Sequence, residues 1–138
     1  MTTTYFKSTL GIEDAELCWK DAIKARQLNK ILNLYSEKAI LLGAFSPEVA
    51  STKSEISQYF KELFKRTDLS VCFLETYITK MEDAAINTGI YRFDYTEDGN
   101  RRSVVARYTF ALQYSEITGQ WLIINHHSSV LPQKILVD

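Results

Sequence analysis

Glycine and proline are scarce in this chain. Its 138 residues include 5 Gly and 2 Pro, well under the roughly 12% that average usage gives those two residues together. Punctuation this sparse predicts few, long elements. The two cysteines, Cys18 and Cys72, stand alone with no CxxC or CxxxC pair, which excludes a disulfide framework and a thiolate zinc motif. Both are expected to be buried as small hydrophobes in a reducing cytoplasm. Charge of one sign is missing as well: 16 Lys+Arg against 17 Asp+Glu leave a net charge of -1. No cation excess is available to release counterions from a phosphate backbone, so nucleic acid is not an expected partner. The longest apolar run, Ala39 to Phe45, has seven residues, against the roughly 20 that a membrane span needs. The opening Met1-Thr-Thr-Thr-Tyr-Phe-Lys lacks the basic and apolar regions of a secretion signal. These absences predict a soluble, unprocessed, cytoplasmic protein with no membrane partner.

Core-forming residues, in contrast, are plentiful. Hydrophobic residues make up 46% of the chain and aromatics 12%, enough at this length for one core spanning residues 1–138, and too many for disorder. From Ile12 the apolar positions fall at Ile12, Ala15, Cys18, Trp19, Ala22 and Ile23, a helical stripe with acids early and bases late. Leu28, Ile31, Leu32 and Tyr35 continue it with a shifted phase, so a second short helix or a bent continuation is expected to about Tyr35. A short buried strand is read over Ala39–Ala44. Thr52-Lys-Ser-Glu55 has capping-box spacing and precedes the clearest helical stripe, Ile56, Tyr59, Phe60, Leu63 and Phe64.

After Arg66 the period becomes two. Leu69–Lys80, Ala84–Tyr95, Arg101–Ser115 and Gln120–Leu131 read as strands, with Asp98-Gly99 and Thr118-Gly119 as turn signals. Helices followed by a meander predict an α+β fold, with N-terminal helices packed on a strongly bent antiparallel sheet. A two-residue turn at Asp98-Gly99 pairs Glu97 with Asn100 and so places Tyr91, Phe93, Val104, Ala106, Tyr108 and Phe110 on one face. Thr88, Ile90, Arg92, Val105, Arg107 and Thr109 fall on the other. A four-residue loop over Glu116–Gly119 pairs Tyr114 with Trp121. It continues the aromatic face through Ile123, Asn125, His127 and Ser129, leaving His126 and Ser128 beside Arg107 and Thr109. Neighbours on a strand face opposite sides, so the histidine pair cannot chelate one ion, and no metal or other cofactor is expected.

The segment Gln120-Trp-Leu-Ile-Ile-Asn-His-His-Ser-Ser-Val-Leu-Pro132, preceded by Ala106-Arg-Tyr-Thr-Phe110, resembles the association (hub) domain family of calcium/calmodulin-dependent protein kinase II. The likeness is to its free-standing bacterial form, within the nuclear transport factor 2-like superfamily. The resemblance implies a cone-like (cystatin-like) α+β fold, a pocket between concave sheet and helices, and homo-oligomers built on the sheet's outer face. No Gly-rich loop, catalytic Lys or Asp-Phe-Gly occurs, so kinase activity is not expected. His126-His-Ser-Ser129 followed by Pro132 is also similar to the signature of iota-class carbonic anhydrases, some of them metal-independent. By motif, that similarity implies bicarbonate chemistry at His127, Ser129 and Tyr59. The chain departs from it at Leu41-Leu42-Gly43-Ala44, where those relatives carry Leu-Leu-Pro-Thr.

Two functions therefore stand side by side. One is an oligomeric module whose pocket takes a small anion or metabolite, lined by Tyr91, Tyr108 and Asn125 and roofed by Trp19 and Tyr35. Arg92 and Arg107 serve in it either as anion ligands or as interface residues. The other is a metal-free lyase or hydratase with His127 and Ser129 as its working groups and Tyr59 beside them.

Overall fold

The computed structural model describes residues 2–133, with side chains from Gly11 onward. Helix α1 spans Thr2–Ala25, α2 Leu28–Leu32 and α3 Lys53–Leu63. The strands are β1 Tyr35–Leu42, β2 Val49–Ala50, β3 Thr67–Met81, β4 Ala84–Glu97, β5 Asn100–Ser115 and β6 Gln120–Val130. The long meander strands lie where the period-two pattern places them. The expected short strand starts four residues earlier, and β2 has too few residues to leave a periodic trace.

Local chemistry explains the joints. Helix α1 ends with Arg26 in the left-handed region, φ 51°, while Gln27 N donates to Ala22 O and Arg26 N to Ile23 O, the pattern of a Schellman stop. The Arg26 side chain then caps the other helix end by donating to Arg66 O at 2.8 Å. Thr52 caps α3, its hydroxyl accepting from Glu55 N at 3.1 Å. The Glu55 carboxylate reaches back one residue further than a capping box requires, to Ser51 N at 2.9 Å. These bonds hold Glu55 below the usual carboxylate range.

The six strands form one sheet in the order β2-β1-β6-β5-β4-β3. Its pairs are antiparallel except β1 with β6, which is parallel, so the sheet is mixed where the meander alone predicts an antiparallel one. The Asp98-Gly99 turn has both residues at positive φ, 52° and 76°, as a type I′ hairpin requires, and the expected pairing follows to the residue: Glu97 with Asn100, Tyr91 with Ala106, Gly89 with Tyr108.

The second hairpin departs from expectation midway. Tyr114 pairs with Trp121 and Leu112 with Ile123, but Ala111 pairs with Asn125. Ile124 is therefore an extra residue, a β-bulge. One inserted residue reverses every side chain beyond it. His126 and Ser128 consequently point into the core, at 2% and 5% exposure. Asn125, His127 and Ser129 point outward and are exposed, which corrects the sequence-based face assignment of all five.

The inner face packs against α1, α2 and α3 around Trp19, Phe60, Tyr91, Phe93, Tyr108 and Phe110. Cys18 lies off this core and is exposed, and Cys72 is half-buried on the outer face. Neither is the buried hydrophobe that its isolation in the sequence suggests.

Candidate functional site

Around Trp19, between α1 and the sheet, the space is filled by side chains; an opening of about 360 Å³ lies instead between α3 and the segment 45–50, lined by Phe45, Glu55, Tyr59 and Arg66. Trp19 stacks on Tyr91 with ring centroids 5.6 Å apart and 1° between planes, and Tyr91 stacks on Tyr108 at 4.7 Å. The gap left beside Ile12, Ala15, Trp19 and Phe110 has a volume of about 10 Å³, the order of one water. Trp19, Tyr35, Tyr91 and Tyr108 thus pack on one another; they do not roof or line an open cavity.

The bulge places His126 at the centre of this packing. Trp19 Nε1 donates to the Tyr35 hydroxyl at 3.1 Å, the Tyr35 hydroxyl lies 2.8 Å from His126 Nδ1, and His126 Nε2 lies 3.0 Å from the Tyr91 hydroxyl. Indole is a donor only. Because the Tyr35 oxygen already accepts from Trp19, a consistent arrangement has Tyr35 give its proton to Nδ1 and His126 carry its own on Nε2, donating to Tyr91. Burial drives His126 down to about 3, with nearby His127 adding to the effect, and drives the Tyr35 and Tyr91 phenols well above their usual range. The site is neutral and closed to solvent, with both His126 nitrogens hydrogen-bonded.

A second network fastens α1 to the sheet. The Tyr108 hydroxyl donates to Asn87 Oδ1 at 2.9 Å, and Asn87 Nδ2 donates to Glu16 Oε1 at 2.8 Å. Asn87 is 2% exposed. Sequence reasoning passed over it, although two steps of alternation from Tyr91 put it on the core face. Glu16 left no such signal, since it lies among the charged residues of the helix.

The predicted catalytic residues are not brought together. His127 and Ser129 stand on the outer face. Tyr59 lies on the helix side, its ring where a side chain on Gly43 would be and its hydroxyl accepting from Phe45 N at 3.3 Å. Burial pushes that phenol up to about 12. Gly43 is thus the residue that lets Tyr59 lie against the end of β1. A proton-transfer role linking Tyr59 to His127 and Ser129 is contradicted by this placement, because the sheet separates them.

The outer face carries the remaining predicted residues. Cross-strand pairing builds two rows, Glu75–Ile90–Arg107–Ser129 and Tyr77–Thr88–Thr109–His127. Together they line an open depression of about 420 Å³. Arg107 is exposed. Arg92, by contrast, is tied through Nε to both carboxylate oxygens of Asp94 at 3.0 Å, so its charge is already met within the chain. Among the described residues, no three His, Cys, Asp or Glu side chains converge as a metal site. Nor is any helix long and apolar enough to cross a membrane.

The family model for the calcium/calmodulin dependent protein kinase II association domain matches residues 15–132. The chain belongs to that association domain family. A protein described as such an association domain, from Xanthomonas campestris, is 31% identical, with a TM-score of 0.77 over 84% of this chain and 82% of its own. More distant structures share the fold alone. A ketosteroid isomerase-like protein from Erwinia carotovora atroseptica is 20% identical, with a TM-score of 0.74 over 90% of this chain and 96% of its own. An NTF2-like protein with a cystatin-like fold, from Novosphingobium aromaticivorans, is 11% identical, with a TM-score of 0.79 over 96% and 88%. No curated protein matches the chain. Within the association domain family, then, this member has a nuclear transport factor 2-like, cystatin-like fold in which side chains fill the space around Trp19.

Proposed function

We propose that this chain is a non-catalytic self-association module that assembles through the outer face of its sheet. The observation that carries the reading is the contrast between the two faces. The inner face packs against the helices, leaving about 10 Å³ beside Trp19 and an opening of about 360 Å³ between α3 and the segment 45–50, whereas the outer face is covered by no described element. It presents Ile40 at 37%, Ile86 at 38%, Tyr77 at 60% and Leu131 at 41% exposure beside an exposed Arg107. Apolar groups that line a sheet face no described element covers, mixed with a cation that has no ion-pair partner among the described residues, have the composition of a protein interface. Membership of an association domain family supports the same conclusion.

Small anions, the ligand class expected above, have their available donors on this same face, in Arg107, His127 and Ser129. On this reading an anion competes with assembly for those groups and does not occupy an interior pocket. Sedimentation velocity of the intact chain and of Ile90→Lys tests the proposal. The intact chain is expected to sediment as a dimer or larger and the variant as a 15.9 kDa monomer; an intact chain that is monomeric at micromolar concentration refutes it.

A further inference from the structure

We infer that the opening between α3 and the segment 45–50 binds a free α-amino acid with an aliphatic side chain, its carboxylate toward Arg66 and Tyr59 and its ammonium toward Glu48. The site lies apart from the outer face and is independent of assembly.

Arg66 is the one cation that lines this opening. Its guanidinium lies over the Phe45 ring at 4.5 Å and the Tyr95 ring at 5.2 Å. Nη1 makes a long bond to Glu62 O, at 3.4 Å. Nε is buried with no acceptor, and no carboxylate among the described residues forms an ion pair with Arg66. A buried, charged donor left without a partner is costly, and a carboxylate that fits the guanidinium fork removes that cost. Tyr59 lines the same opening. Its hydroxyl accepts from Phe45 N at 3.3 Å, so its own proton remains to be given, and no acceptor for it lies among the described residues. Both unspent donors call for an acceptor, and an anionic one suits the guanidinium.

Three carboxylates share the lining, and two of them are engaged. Glu55 accepts from Ser51 N at 2.9 Å, and Glu62 pairs with Lys65 at 2.9 Å. Glu48 is left: it is exposed, and its carboxylate has no partner among the described residues. Although Glu48 and Arg66 line one opening, no ion pair joins them. A ligand that serves both therefore carries both signs. A simple anion enters a site with more carboxylates than cations, and a simple amine leaves Arg66 unpaired; a zwitterion answers each end.

Between the charged ends the wall is apolar, formed by Pro47, Val49, Ala50 and Leu63, with Val49 54% exposed. An aliphatic side chain suits it better than an aromatic one, because the Phe45 ring is already covered by Arg66 and packed on Phe93. The volume of about 360 Å³ falls at the lower end of the roughly 300–1,000 Å³ of small-molecule sites. The two rings under Arg66 also hold its guanidinium in place before a ligand arrives, which reduces the ordering that binding requires.

An NMR titration of the intact, isotope-labelled chain tests the assignment. L-leucine is the probe, beside isocaproate, which lacks the ammonium, and isoamylamine, which lacks the carboxylate. L-leucine is expected to bind with a Kd on the order of 1 mM or tighter and to shift the amides of residues 45–50 and 55–66. Each half-ligand is expected to bind at least about tenfold more weakly, since it leaves one charge unanswered. Glu48→Gln lowers L-leucine to the level of isocaproate, and Tyr59→Phe weakens L-leucine about fivefold; far-UV circular dichroism confirms that both variants are folded. No shift with L-leucine, L-isoleucine or L-valine at about 10 mM overturns the inference. So do shifts centred on Arg107 and His127, isocaproate that binds as tightly as L-leucine, or a folded Glu48→Gln that binds L-leucine as the intact chain does.

Discussion

Acid should unfold this protein through one side chain. His126 is held neutral between two tyrosines at about 3, against 6.5 for a free imidazole. When the chain unfolds, the ring regains its ordinary affinity for a proton, so below pH 6.5 the unfolded state binds a proton that the folded state refuses. Stability then rises with pH across the window from about 3 to 6.5 and is lost as pH falls through it. Each unit of pH within the window corresponds to about 1.4 kcal/mol, which makes the loss roughly 3 kcal/mol at pH 4.5, a large share of the roughly 5–15 kcal/mol that a domain has. Urea unfolding at fixed protein concentration, at pH 7.0, 5.5 and 4.5, measures the slope directly. His126→Phe removes the titrating group: it lowers stability at pH 7 by about 2–3 kcal/mol by leaving two phenols without their imidazole partner, yet its stability should be nearly level from pH 7.0 to 5.5 and fall less than the wild type's by pH 4.5. Carboxylates held low, such as Asp94 and Glu55, lose stability in the same direction as pH falls, within the acid end of the same window, so the histidine's share is the difference between the wild-type and variant curves. A wild-type curve flat from pH 7.0 to 4.5, or a variant with the wild-type slope, refutes the buried neutral histidine.

Other substitutions test the remaining contacts. Asn87→Asp sets a second carboxylate against Glu16, where the amide now donates at 2.8 Å; it should cost 2 kcal/mol or more at pH 7 and partly recover at pH 4.5, read by urea midpoints. Gly89→Ala drives a methyl into the backbone carbonyl of Glu75, which cannot swing aside as a side chain does, and should cost about 3 kcal/mol in the same assay. Thr52→Ala removes the hydroxyl that caps α3 and should lower stability by about 1 kcal/mol, with Thr52→Ser restoring it.

The parts of this molecule that could be read from the residues are those governed by local rules. Asp98-Gly99 demands a two-residue turn, and from that one constraint fourteen cross-strand pairs follow in their observed register. The stripe from Ile56 to Phe64 and the Thr52 cap set α3 for the same reason. What could not be read is the bulge at Ile124, since no glycine or proline marks it. The extra residue is accommodated where β6 pairs with β1, whose own register shifts between Tyr35 and Ile40, and this pairing is a tertiary event. The consequence is large because alternation propagates the shift: it exchanges His127 for His126 in the core and moves Ser129 and Asn125 to the outer face. The filled interior was hidden for a related reason. Trp19, Tyr91 and Tyr108 were assigned to the inner face correctly, but whether aromatics on a concave face enclose a space or close it depends on how the rings stack. Cys18 shows the limit of periodicity on helices, where a small residue at the margin of an apolar stripe falls to either side.

The claim on which the rest depends is that the bare outer face of the sheet is covered by another copy of this chain. Light scattering on the intact chain, eluted from a sizing column at several micromolar loads, measures it without any substitution. The account predicts a mass of at least twice 15.9 kDa, falling toward the monomer only on dilution. A mass of 15.9 kDa at every load contradicts it.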